Sequence, residues 1–208
     1  MHALTADADL SGQSFERLAQ PGANLAGCSL YQCTFERCTF TECTFERAII
    51  QECVFKHCDL SLAKLKGVSF TQTRFEQCKL LGLNWADTTW SRKGLHQRAA
   101  FHACTLDYAT FSGLPLRKLQ LTSCSLRDAD FSNADLSGAD CSDSDFAGAR
   151  FIQSNLSGAN FAGARNYVID PRQVNLKDTR FSMPEAVALL EALGIVLVDP
   201  STRSGAGL

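Results

Sequence analysis

Along most of this chain a large apolar residue returns at every fifth position. From Leu10 to Leu95 each fifth residue is Leu, Phe, Ile or Trp, apart from Gln20. From Phe101 to Phe181 the rule holds again, with Cys141, Asn166 and Pro171 as exceptions. This spacing matches neither the helical period of about 3.6 residues nor the alternation of a half-buried strand. Two residues before each of these centres sits a small one: Ala134, Ala139, Ser144 and Ala149 precede Leu136, Cys141, Phe146 and Phe151. Both classes must face inward. A backbone that turns at such intervals closes a square coil in about twenty residues, and stacked coils then pair one another's backbone groups.

The pattern therefore predicts an all-β quadrilateral β-helix over residues 10–181, after a lead-in at 1–9. With ~4.8 Å per coil, about eight coils make a rod on the order of 40 Å long. Corner stretches such as "LSGAD", "LSGAN" and "FSNAD" supply residues that accept positive φ or bond nearby backbone. Two segments break the phase. In "WADTTWSRKGLHQRAAF" the centres advance by one residue between Leu95 and Phe101, which predicts a bulging loop carrying Arg92, Lys93, His96 and Arg98. Two readings of it stand side by side, a partner contact and a neutral surface insertion. In "FSMPEAVALLEALG" the period gives way to a helix, with Ser182 and Glu185 spaced as a capping box and Gly194 as the stop. The helix and a short strand occupy 182–199, and 200–208 form a flexible tail.

That helix is apolar nearly all round, at Ala186, Val187, Leu189, Leu190 and Leu193, and "IVLV" adds Ile195 and Leu197. A cap on the last coil covers one face only. A second copy of the chain would cover the rest, giving a homodimer; the competing reading is a monomer whose cap folds back more completely.

The cysteines look at first like chemistry, as in "CTFERCTFTECTFERA". Nine of the ten fall two before a centre and Cys141 falls on one, so all are expected in the core, where free Cys behaves as a small hydrophobe. Disulfides between stacked coils meet the distance requirement but not the parallel side-chain direction. A zinc site from Cys28, Cys33, Cys38 and Cys43, one per wall, competes with Phe35, Phe40 and Phe45 for the same lumen. Neither is expected.

The net charge of −2 singles out no partner, but its distribution is uneven. Acidic and basic residues number eight and four over 1–60, three and nine over 61–120, seven and three over 121–170, and four each thereafter. Asp130, Asp135, Asp140 and Asp145 directly precede centres and suggest an acidic outer wall. No phosphate-binding, dinucleotide-binding or HExxH motif occurs, and His57 and His102 fall at outward positions. With neither a signal-like start nor a run of roughly 18 apolar residues, the expectation is a cytoplasmic protein without catalytic residues, metal or cofactor.

The A(D/N)LXX pattern over residues 10–181 resembles the pentapeptide repeat family, whose fold is a right-handed quadrilateral β-helix. "LLGLNWADTTW" with its following loop, "NYVIDP" and "RFSMPEAVALLEALGIVLVD" are similar to the gyrase-protecting branch, the quinolone-resistance and albicidin-resistance proteins. The resemblance implies a DNA-mimicking binder that protects DNA gyrase, with topoisomerase IV as a second target, from poisons such as fluoroquinolones or albicidin-like compounds. It also implies a dimer through the C-terminal helix and a partner-contact loop at Ser91, Arg92, Lys93, Gly94, Leu95, His96, Gln97 and Arg98, with no direct binding of nucleic acid. The basic stretch at 61–120 departs from a simple mimic, since duplex DNA carries one charge per about 1.7 Å of axis. Two other classes stay open. One is a scaffold of the same fold with a different protein partner; the other is a thiol enzyme or metal protein, which needs a solvent-facing cysteine.

Overall fold

A computed structural model describes residues 3–89 and 99–198 of the chain. Short strands, all paired in parallel, stack into the first two walls of a right-handed quadrilateral β-helix of about eight turns. The first wall holds β1 (Asp9–Ser11), β3 (Ser29–Tyr31), β5 (Ile49–Gln51) and β7 (Ser69–Thr71). The second holds β2 (Ser14–Glu16), β4 (Thr34–Glu36), β6 (Val54–Lys56), β8 (Arg74–Glu76), β9 (Ala100–His102) and β10 (Gln120–Thr122). On the third and fourth walls the contact shrinks to single bridges, such as Thr39↔Asp59↔Lys79↔Thr105 and Asn24↔Thr44↔Lys64. Further along, β11 (Asn160–Phe161) pairs with β12 (Arg180–Phe181). A six-residue helix, α1 (Val187–Ala192), follows.

The register follows the five-residue pattern. Leu10, Leu30, Ile50 and Phe70 pair in turn, as do Phe15, Phe35, Phe55 and Phe75, each twenty residues from the last. Centres and the small residues two before them fill the lumen, and Phe35, Phe40 and Phe45 are almost fully buried there. On the second wall the rings of Phe15, Phe35, Phe55, Phe75 and Phe101 stack at 5.0, 4.7, 5.0 and 5.3 Å. Each such pair adds roughly 0.5–1.5 kcal/mol beyond the burial of its area.

Most corners carry one left-handed residue, two positions after a centre. Glycine takes that place at Gly148, where a Cβ would run into the Asp128 carboxylate one coil below. Elsewhere the corner residue is often polar and carries a side chain, as at Arg37 and His57, both with φ of 53°.

The middle break is larger than a shift of one residue. Phe75 pairs with Phe101, so this coil takes 26 residues where the previous one takes 20. The chain keeps to the coil as far as Thr89, whose amide donates to Val68 O at 2.8 Å, and rejoins it at Ala99, which is buried. The six additional residues therefore fall between Thr89 and Ala99, outside the described residues, Leu95 among them.

The C-terminal break differs from expectation at its start. Ser182 and Glu185 form no capping box, because the Ser182 hydroxyl accepts the Gly163 amide at 2.9 Å. The N-cap of α1 is Ala186, without a side-chain bond, so the helix begins later than the spacing predicts. Its stop lies where expected: Gly194, at φ 78°, and Ile195 send their amides back to Glu191 O and Leu190 O, closing a Schellman motif. Residues 195–198 continue without strand pairing.

Candidate functional surfaces

All ten cysteines are free and buried. Their thiols are nevertheless not inert filling. On the wall-three side, Cys38, Cys58, Cys78, Cys104 and Cys124 form one column. The Cys38 amide donates to Cys58 Sγ and the Cys58 amide to Cys78 Sγ, each at 3.4 Å. Each thiol in turn donates to a centre carbonyl in the coil below, as Cys58 to Phe35 O at 3.4 Å and Cys78 to Phe55 O at 3.3 Å. Burial pushes the Cys28 thiol up to about 11 and Cys53 up to about 12. These groups stay protonated near neutral pH, where a nucleophile or metal ligand must be a thiolate. Among the described residues, no three or more His, Cys, Asp or Glu are grouped to hold a metal.

The four aspartates predicted to line one outer wall sit instead on four different walls of a single coil, since they are five residues apart in a twenty-residue turn. Each folds an oxygen onto the amide two residues on, at Ser132, Ser137, Ser142 and Ala147. Three are also neutralised by arginines from adjacent coils. Arg150 meets Asp130 at 3.0 Å, Arg117 meets Asp135, and Arg127 and Arg165 meet Asp145 at 2.9 and 3.6 Å. Asp140 accepts from Asn160 at 3.0 Å.

Asp145 is the most enclosed of these, 2% exposed. Desolvation alone would raise its pKa, but hydrogen bonds from Asn166, Arg127 and the Ala147 amide outweigh it and hold the carboxyl below the usual range. Asp130 and Asp135 are held low in the same way against their own desolvation. The arginine partners escaped the sequence reading. Their signal was spacing: Arg150 and Arg165 lie one coil length beyond Asp130 and Asp145.

At the C-terminal end the helix covers little of itself. Leu189 packs on the core and Val187 is half-buried, while Leu190, Leu193, Ile195 and Leu197 are 40–49% exposed and Val196 reaches 85%. Arg172 pins the cap by donating to Ala192 O at 3.2 Å while forked onto Asp170. The loop candidates Ser91 to Arg98 lie outside the described residues.

No helix among the described residues is long and apolar enough to cross a membrane. Comparison with known proteins adds three findings. Models described as "Pentapeptide repeat region" and "Pentapeptide repeats (8 copies)" match residues 28–109 and 124–165. No curated protein matches the sequence. Among solved structures, a trypsin-treated form of QnrB1, described as a plasmid-mediated fluoroquinolone resistance protein, is 23% identical with a TM-score of 0.71. The match covers 93% of this chain and 99% of that one. Full-length QnrB1 is 24% identical with a TM-score of 0.61, over 92% of each chain.

Proposed function

The chain belongs to the pentapeptide repeat family, and from that premise we propose that it is a non-catalytic cytoplasmic protein that protects DNA gyrase, and secondarily topoisomerase IV, against topoisomerase poisons. The observation that carries the reading is a rod of QnrB1-like fold over nearly the full length of both chains. The local likenesses "LLGLNWADTTW" and "RFSMPEAVALLEALGIVLVD" to the gyrase-protecting branch support it. The exposed apolar cap at Leu190, Leu193 and Ile195 to Val198 is the surface through which two copies join, because a cap with that much uncovered area stabilises a dimer better than a monomer. The loop at Ser91 to Arg98 is the second contact with the enzyme.

Charge limits how the rod resembles DNA. The carboxylates of Asp130, Asp135, Asp140 and Asp145 are spread over four walls, and three of them are paired with arginines, so this coil falls short of the charge density of a duplex. The rod engages gyrase through its width and a mixed surface, with electrostatics steering its approach.

Supercoiling by purified gyrase in the presence of a fluoroquinolone or albicidin, titrated with this protein, tests the proposal. Restored supercoiling with at least one poison is the expected result. Failure with all of them returns the protein to the alternative, a scaffold for a different partner, which the mixed surface also suits.

A further inference from the structure

Two bulky apolar side chains stand outside the rod at a corner where the fold has no use for them. Two residues after the third-wall centres run Glu42, Leu62, Gly82, Tyr108 and Asp128, stacked coil on coil. The Leu62 amide donates to Leu81 O, Gly82 to Asp107 O and Tyr108 to Arg127 O, at 2.9, 2.9 and 2.8 Å. Leu62 and Tyr108 both have φ of 60°, a conformation that glycine, asparagine and aspartate accept most readily. Of the 21 non-glycine residues with positive φ among the described residues, these are the only large apolar ones. They are 55% and 62% exposed. Neither backbone preference nor burial explains the choice.

Gly82 stands between them without a side chain. The Leu62 Cδ2 atom leans over it, 2.9 Å from where a Cβ would stand, and half-buried Leu81 adjoins it in sequence. Two exposed lysines flank the column, Lys64 on the fourth wall and Lys79 on the third. Neither pairs with a carboxylate among the described residues.

We propose that this corner docks a protein segment laying one aliphatic or aromatic side chain on the exposed patch of Leu62 and Tyr108, and presenting carboxylates to Lys64 and Lys79. An apolar centre with a charged rim is the usual build of an interface. Nucleic acid fits less well. Leu62 and Leu81 offer no stacking face, and Glu42 and Asp128 at the two ends of the column repel phosphate. The inference does not depend on gyrase being the partner.

The test is a double variant, Leu62→Asn with Tyr108→Asn, which keeps residues tolerant of positive φ. Random peptides displayed on phage are selected on the wild-type protein, and their affinities compared with the variant. The expected result is peptides with an apolar residue flanked by Asp or Glu, bound at least about ten-fold more weakly by the double variant and by Lys64→Glu with Lys79→Glu, while the melting temperature of the Asn variant stays level or rises. Selection that yields no such pattern, or peptides that bind wild type and variant alike, overturns the proposal. So does a fall in melting temperature, which would mean that the pair serves the fold. A gel shift of duplex DNA that the Asn variant abolishes would overturn it in favour of nucleic acid.

Discussion

A cysteine two residues before a centre does the job of a hydroxyl. Cys58 Sγ accepts from the Cys38 amide and donates to Phe35 O and Lys56 O. At the same place in later coils, Ser144 accepts from the Cys124 amide at 2.9 Å and donates to Leu121 O at 2.7 Å. Alanine occupies the position where the corner closes its own turn and already uses the centre's carbonyl, as Ala63 N does with Leu60 O and Ala149 N with Phe146 O. Cys58 and Ser144 thus serve a buried carbonyl that the corner leaves open, although Cys28, Cys43 and Ser154 stand at corners closed like those of the alanines. Cys58→Ala should cost about 1–3 kcal/mol by orphaning those groups, and Cys58→Ser clearly less, as read from urea midpoints. Asp145 makes a second prediction at this scale. Its native pKa is depressed, so its contribution is present above the unfolded value of about 3.9 and is lost as pH falls through the native one. Asp145→Asn should lower stability near neutral pH by roughly 1–3 kcal/mol, a range kept small because both guanidiniums face solvent. The gap to wild type should close on acidification below about pH 4, followed by thermal melts across that range.

Among the elements, the stacked phenylalanines of the second wall join coil to coil across the inserted segment, because Phe75 and Phe101 remain in register at 5.3 Å. Phe55, stacked on both sides, is the place to interrupt the column. Phe55→Ala should destabilise the protein by roughly 3–5 kcal/mol, measured by chemical denaturation. A solenoid transmits stability only between neighbours, so amide exchange should accelerate most in the coils touching residue 55. The strands were legible in the sequence because each centre announces its own inward position. The start of α1 was not. Ser182 has two possible partners for its hydroxyl, the helix amides ahead of it and Gly163 one coil below, and only the stacked chain shows that Gly163 takes it. At six residues α1 falls far short of the ~12–15 that an isolated helix requires. Leu189 and Arg172 hold it instead.

For the whole molecule, the uncovered cap leads to a test of assembly. Size-exclusion chromatography with light scattering should find twice the chain mass for the wild type. Leu193→Asp with Val196→Asp should give the single chain mass with the β-sheet circular dichroism retained. A wild-type monomer would sink the dimer. The same cap shows how far sequence reading reaches: apolar residues all round a helix say that something covers it, but not whether that cover belongs to this chain. In the described chain much of that face is open, with Leu190 and Leu193 at 40% and 42%.

By itself the sequence determined the five-residue turn, the inward residues, the burial of the cysteines and the Gly194 stop, because each follows from the chemistry of neighbours within a few positions. Only the tertiary structure decided the 26-residue coil and the arginine partners of the aspartates. It also decided the continuation of the thiol column from Cys78 to Cys104 and the apolar corner of Leu62 and Tyr108. Each of these joins residues 18 to 46 positions apart, and such contacts depend on how coils register against one another, which no local pattern specifies.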